Sequence, residues 1–509
     1  MSEFPYWRCP ARSNSPGDRC ESIVGCSDRK YADNPPMDDS GVAEHGLRRR
    51  IWLGGLGVGL LVLVIVASQI FGPLTDDSHH QPALGGDFLP AYAAGTLVRQ
   101  GRATDVYQPA AVEQIERKVA ADARLAPLPY YGPYLNPPFF AAFYAPLAAL
   151  PYRAAAMLWL AFNLLGLCAA IILMRRMLAP TDGWRTWGLV PLLLCISMPF
   201  WQAICHLQNT CLSLALLCGV VGLWRSPIGN WKVVAAGSLS GLLIYKPQIA
   251  CLIAIALFVT LGWRALLGFA ITTGTLLGLT LWKLPGAMSA YLFKLPTLLR
   301  QIQERPQYNW GRQPTLMGFW RLLIQGHSGG PAHGAVMMLC GLSIALFAVV
   351  WIASVIIYVR NSDPRLAALF EPEPQGRRPL AGGVRSRTNS SQHVSLDRLI
   401  AMTITCMPLL MPYYMDYDLL LLAIPAVLLA KEWMESAQIP RGIDRSLPWA
   451  WPGLILILYV NPGLSGASRL NLAAPLLALV AGLMIIRCIR VDCSQIARRS
   501  EQRSLQAAA

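Results

Sequence analysis

Residues 233–262, "VVAAGSLSGLLIYKPQIACLIAIALFVTLG", hold about a dozen mostly apolar residues, a Tyr-Lys-Pro-Gln break, and about a dozen more. At 1.5 Å per helical residue neither half comfortably crosses a hydrocarbon core of ~30 Å. Pro247 cannot donate the hydrogen bond of a continuing helix, so the chain breaks there. Irregular backbone at membrane depth is tolerated only where it is buried in protein or lines a polar cavity. The break therefore sets Lys246 below a membrane surface, where an ionisable group costs several kcal/mol unless paired or hydrated. Two readings stay open: the lysine snorkels to the headgroups, or it serves a phosphate inside a cavity.

The rest of the chain supplies the membrane. It has 509 residues, of which 54% are hydrophobic and 14% charged. Several apolar runs reach about 20 residues, and none alternates as a barrel strand would. The reading is an all-α polytopic membrane protein. A net charge of +15 lies mainly in short loops and tails beside the runs, as the positive-inside bias requires, so no nucleic-acid partner is called for. Most of the thirteen cysteines, such as Cys168, Cys218, Cys251 and Cys406, lie within apolar runs as small hydrophobes. Cys9, Cys20 and Cys26 lack a metal-site spacing, and no metal or cofactor is expected. The Walker, Rossmann, HExxH and serine-elbow patterns are missing, so nothing points to nucleotide hydrolysis.

Charge orients the spans. Residues 1–50 read as a disordered cytoplasmic tail, in which Met37 opens a more compact leader. Arg48, Arg49 and Arg50 place the start of span 51–71 inside. Further spans follow at 154–174, 187–205, 210–224, 233–244, 249–262, 265–284, 334–359, 399–414, 418–430, 447–463 and 470–486. About twelve spans result, with both termini cytoplasmic and an arginine-rich tail over 487–509. Two large loops, 72–153 and 285–333, fall outside, and an arginine-rich linker, 360–398, falls inside. The polar breaks "HLQN", "YKPQ" and "MDYD" all fall on the outer side, which makes the extracytoplasmic face the working one.

Asp87 in "GGDFLPAYAAG" stands early in the first outer loop. Its helix puts Phe88, Tyr92 and Leu97 toward one side, which suits an amphipathic helix on the membrane surface. An acid in this position ordinarily caps the helix. "YYGPYLNPPFFAAFYAPLAALP", Tyr130 to Pro151, reads as a second interfacial segment with belt aromatics, and Tyr134 and Asn136 are its candidates for contact with substrate. His206, Gln208 and Asn209 close one hairpin, and Gln248 follows the lysine of the next. Arg300, Arg305 and Arg312 lie outside against the charge bias, and Gln313 adjoins the last of them. Arginine suits phosphate because its planar fork bonds two oxygens. Asp416 and Asp418 begin a span, where acids are ordinarily N-caps.

Seven of these pieces, "GGDFLPAYAAGTLVRQGRATDVY", "YLNPPFFAAFYAPLAALP", "LWLAFNLLGL", "HLQNTCLSLAL", "GLLIYKPQ", "RQPTLMGFWRLL" and "MPYYMDYDLLLLAIPA", occur in an order that resembles glycosyltransferase family 87, over about residues 85–430. The family's Gly-Gln-x-Asn hairpin is His206-Leu207-Gln208-Asn209 here, and its Asn-x-Ser-Leu is Gln313-Pro314-Thr315-Leu316. The resemblance implies a GT-C-like bundle in a bacterial inner membrane. It also implies inverting transfer of a hexose, most plausibly mannose, from a polyprenyl-phosphate donor to a lipid-linked or cell-envelope glycan acceptor. Asp87 then falls on the family's presumed base, Lys246 and Arg312 on the donor phosphate, and His206, Gln208 and Asn209 on the sugar or phosphate. A secondary transporter shares the broken helices, but no two-fold internal repeat is evident. A lipid-linked oligosaccharide polymerase or ligase shares the large outer loops.

Overall fold

The computed structural model describes residues 86–125, 131–178, 190–191, 194–226, 229–306, 308–362, 387–435 and 446–489. All of them fall in one unit, Trp52–Ala509. The expected tail 1–50, span 51–71 and most of linker 360–398 and tail 487–509 lie outside the described residues. Among the described residues there are 16 α-helices and no strand. Among the described residues, three helices are long and apolar enough to cross a membrane: Tyr152–Met177, Trp263–Lys283 and Gly334–Tyr358. They carry exposed Leu165, Trp282 and Val349, apolar side chains that a lipid environment accommodates. The chain is a membrane protein on these grounds, and the count of twelve spans remains a sequence expectation.

Helices α1 (Phe88–Arg99), α2 (Pro109–Asp122) and α3 (Pro138–Tyr144) precede the first long helix, α4 (Tyr152–Met177). α1 departs from the surface helix expected of it. Phe88, Leu89, Ala93, Ala94 and Leu97 are all almost fully buried. The Phe88 ring lies 5.9 Å from Tyr144 and 6.3 Å from Trp159, and the Tyr92 hydroxyl donates to the Leu150 carbonyl at 2.7 Å. The aromatic side that could have faced lipid is satisfied by protein instead. The expected belt aromatics of α3 differ in the same way. Phe140 and Tyr144 are buried, and Phe140 stacks on Tyr245 with ring centroids 4.6 Å apart. This stack joins the first loop to the Lys246 break.

The break itself forms as the proline requires. α7 (Asn230–Leu242) runs into a 3-10 turn, Leu243–Tyr245, and α8 (Pro247–Leu261) starts on the proline, whose missing N–H costs nothing at a helix N-terminus. α7 lies very close to α9 (Trp263–Lys283). A Cβ on Gly237 would come within 1.9 Å of the Ala265 carbonyl oxygen, and one on Gly268 within 2.0 Å of that of Val234. Small residues allow such backbone contact, the usual mode of helix association in lipid.

α6 (Thr210–Arg225) is the strut between two polar layers, with about 22 Å separating its ends. At one end Thr210 Oγ1 donates to Asp418 Oδ1 at 2.9 Å. At the other, Arg225 grips Asp397 of α13 (Arg387–Leu410) through Nε at 2.6 Å and Nη2 at 3.0 Å. Lys431 of α14 (Ala423–Glu435) also reaches Asp397, and Glu432 pairs with Arg398 and with Arg487 of α16 (Ala473–Ile489).

Candidate functional site

α5 (Met198–Cys205) sets the geometry of the site where it stops. Gln208 N donates to Ala203 O at 2.8 Å and Leu207 N to Ile204 O at 3.0 Å, the two bonds of a Schellman end. The residue that must turn left-handed there is usually glycine; here it is Leu207, at φ 49°. Its strain is held by burial of the side chain and by Trp159 Nε1, which donates to its carbonyl at 2.8 Å. The turn aims Gln208 across to the first loop, where its Nε2 donates to Asp87 Oδ2 at 2.5 Å.

Asp87 occupies the N-cap position of α1, but its side chain makes no cap hydrogen bond. The capping role expected of it is therefore not the one it takes: the carboxylate leans toward the hairpin. His206 Nδ1 lies 3.8 Å from the same Oδ2. The Asp87 side chain is 41% exposed, so the carboxylate is open to an incoming group.

Asp416 and Asp418 also do something other than cap. They lie in a 3-10 turn, Asp416–Leu422, whose N-cap is Met415. Asp418 accepts from Lys246 Nζ and from Thr210, and Asp416 accepts from Arg312 through Nε at 2.9 Å and Nη2 at 3.0 Å. Arg312 Nη2 also donates to Gln202 Oε1 at 3.1 Å. Lys246 is 7% exposed, so it neither snorkels nor stands alone. A carboxylate meets the buried cation directly, as burial of an ionisable group requires. Tyr417, between the two acids, lies with its ring 5.7 Å from Lys246 Nζ and 6.4 Å from the His206 ring.

The electrostatics follow from this packing. Burial pulls the His206 imidazole below its ordinary value, as does Arg312, while Asp87 and Asp416 pull it up and do not prevail. It is neutral near pH 7. Burial also acts to lower Arg312, but Asp416, Asp87 and Tyr417 outweigh it and raise the guanidinium above its usual range. Among the described residues, no group of three or more His, Cys, Asp and Glu side chains forms a metal cluster.

Asp87, His206, Gln208, Lys246, Arg312, Asp416 and Asp418 thus converge on one network from distant parts of the chain. Other candidates stand apart from it. Tyr134 is buried with its hydroxyl on the Pro137 carbonyl, and the Asn136 carbonyl accepts from Tyr107. Gln313 donates to Tyr308 and is buried beside Asn471, which donates to its carbonyl at 2.7 Å. Asn209 is buried with no partner on Oδ1, and Gln248 is half-buried next to the lysine. Arg300 is exposed on α10 (Ala287–Gln303), and Arg305 reaches the Tyr131 carbonyl. Gln202, Thr210 and Tyr417 were missed. Thr210 directly follows the "HLQN" motif and Tyr417 lies inside "MDYD", so proximity to a polar break was the available signal.

No curated protein and no solved structure matches the chain. The model of Glycosyltransferase family 87 matches residues 134–371, a stretch that includes His206, Gln208, Lys246 and Arg312. Over that stretch, a little under half of the chain, the sequence is similar to glycosyltransferase family 87, a family of membrane glycosyltransferases, and three helices long and apolar enough to cross a membrane accompany the match.

Proposed function

We propose that the network is the active site for inverting transfer of a hexose, most plausibly mannose, from a polyprenyl phosphate to a lipid-linked or glycan acceptor at the extracytoplasmic face. The observation that carries this reading is the convergence of one solvent-open carboxylate, Asp87, with two fixed cations, Lys246 and Arg312. Gln208 holds one oxygen of Asp87. The other is placed to take the proton of an acceptor hydroxyl as that oxygen attacks the anomeric carbon. The leaving group is a lipid phosphate, and its charge needs donors that are already in place. Arg312 keeps Nη1 outside its contacts with Asp416 and Gln202, and Lys246 has ammonium protons beyond the one given to Asp418. The paired aspartates hold both cations in place rather than competing for the base.

The donor's lipid tail stays in the bilayer while its sugar reaches water, which a broken helix lining a polar site permits. Purified protein in liposomes with labelled polyprenyl-phosphate mannose and candidate acceptors tests the reaction. Label in a new product supports transfer. Label that only crosses the membrane means a transporter, and en bloc movement of an oligosaccharide means a polymerase or ligase.

A further inference from the structure

We propose that His206 is a proton relay between Asp87 and the departing lipid phosphate. The inference rests on the transfer reaction proposed above. Its geometric basis is the position of the ring. Nδ1 lies 3.8 Å from Asp87 Oδ2, the oxygen already tied to Gln208. Across the site the same ring feels the Arg312 guanidinium and the Asp416 carboxylate, and it lies 6.4 Å from the Tyr417 ring. The charged and titratable groups facing it are therefore Asp87, Asp416, Arg312 and Tyr417. The imidazole thus adjoins the base on one side and, on the other, Tyr417 between the two aspartates that hold the cations. It is also half-buried and held neutral at pH 7, ready to accept a proton.

The chemistry gives such a group a task. The donor is a phosphodiester with one negative charge. The acceptor O–H breaks as the new glycosidic C–O bond forms, and the old anomeric C–O bond breaks with its electron pair going to the phosphate. Asp87 holds the acceptor's proton at the end of that step and must lose it before the next. The product phosphate monoester has a second pKa of about 6 and so accepts a proton near neutrality. Once rotation about the Cβ–Cγ bond turns the protonated oxygen of Asp87 toward the ring, His206 takes the proton and delivers it to the phosphate oxygen, which leaves the carboxylate ionised and the imidazole neutral again. No oxidant, reductant or further reactant enters, and the proton lost by the acceptor is the one gained by the lipid phosphate.

The test uses the full-length protein in liposomes with labelled polyprenyl-phosphate mannose, comparing the wild type with His206→Gly, His206→Gln and Asp87→Asn. General acid–base groups contribute about 10²- to 10⁴-fold. His206→Gly is expected to lose turnover at the lower end of that range with donor KM within about two-fold of wild type. Imidazole added to His206→Gly should restore turnover at least ~10-fold, and His206→Gln, which leaves no room for it, should not respond. In the wild type, kcat should fall as pH drops through the range where the imidazole charges, and that limb should vanish in His206→Gln. Near-normal turnover in either histidine variant, a loss that imidazole leaves untouched, or an unchanged acid limb overturns the relay. If His206→Gly does not fold, the pH profile of His206→Gln decides alone. Absence of transfer by the wild type, or an active Asp87→Asn, sinks the underlying reaction or its base instead, so the two failures are separable.

Discussion

Lys246→Met tests the central pair of the site without assuming any substrate. Lys246 and Asp418 are 7% and 5% exposed, and each has the other as its charged partner. Removing the ammonium strands the carboxylate with Thr210 Oγ1 at 2.9 Å as its remaining side-chain donor. Breaking a buried pair from one side costs about 3–5 kcal/mol, because an uncompensated charge stays in a low-dielectric setting. The double variant Lys246→Met, Asp418→Asn removes both charges and leaves an amide oxygen for Thr210. It should recover most of the loss, to within about 2 kcal/mol of wild type. The assay is reversible unfolding in mixed micelles by a denaturing-detergent titration of wild type, both singles and the double. With each single costing about 3–5 kcal/mol and the double about 2 kcal/mol, a coupling energy of at least about 4 kcal/mol is expected, at the strong end for groups in direct contact. Additive losses, with the double as unstable as the sum of the singles, would refute the argument that these charges stabilise each other.

Three further outcomes follow from other parts of the site and its loop. Gln208→Leu removes a hydrogen bond to a carboxylate worth about 1.5–3 kcal/mol, so kcat should fall about 10- to 100-fold with little change in donor KM. Arg312→Lys cannot reproduce the two-oxygen grip on Asp416 together with the Gln202 contact, and donor KM measured in the same liposomes should rise about ten-fold. Glu116 is buried in α2 with neither carboxylate oxygen hydrogen-bonded, and burial, with help from Glu113, pushes it up to about 8. Because its folded value lies above the unfolded one near 4.3, wild-type stability should fall by about 1.4 kcal/mol per pH unit across that window and level off above about pH 8. Glu116→Gln should flatten the slope in a pH series of unfolding midpoints.

The sequence revealed these groups unevenly, for physical reasons. Pro247 after an apolar half-span marked the Lys246 break, because a helix break is a local event written in local residues. The partner of Lys246 was invisible, because Asp418 lies 172 residues away and nothing in either neighbourhood encodes the contact. The same holds for Asp87 and Gln208, 121 residues apart. Acids at helix starts read as caps because that is the commonest local use of a carboxylate, and at Asp87, Asp416 and Asp418 tertiary contacts displaced it. The aromatics of α1 and α3 read as surface anchors because hydrophobicity cannot distinguish lipid from protein as the apolar neighbour. The ordered set of weak motifs was more informative than any one of them, since order preserves the topology that brings distant breaks together.

The "MDYD" turn has a mechanical consequence. With about three residues per 3-10 turn, successive side chains point about 120° apart. Asp416, Tyr417 and Asp418 therefore radiate in three directions from one short axis, one toward Arg312 of the second loop and another toward Lys246 of the broken helix. The turn works as a hub with two spokes. A ligand that contacts either cation therefore acts on a side chain anchored to the same few backbone bonds. Two segments with no direct bond between their charged groups thereby share one anchor.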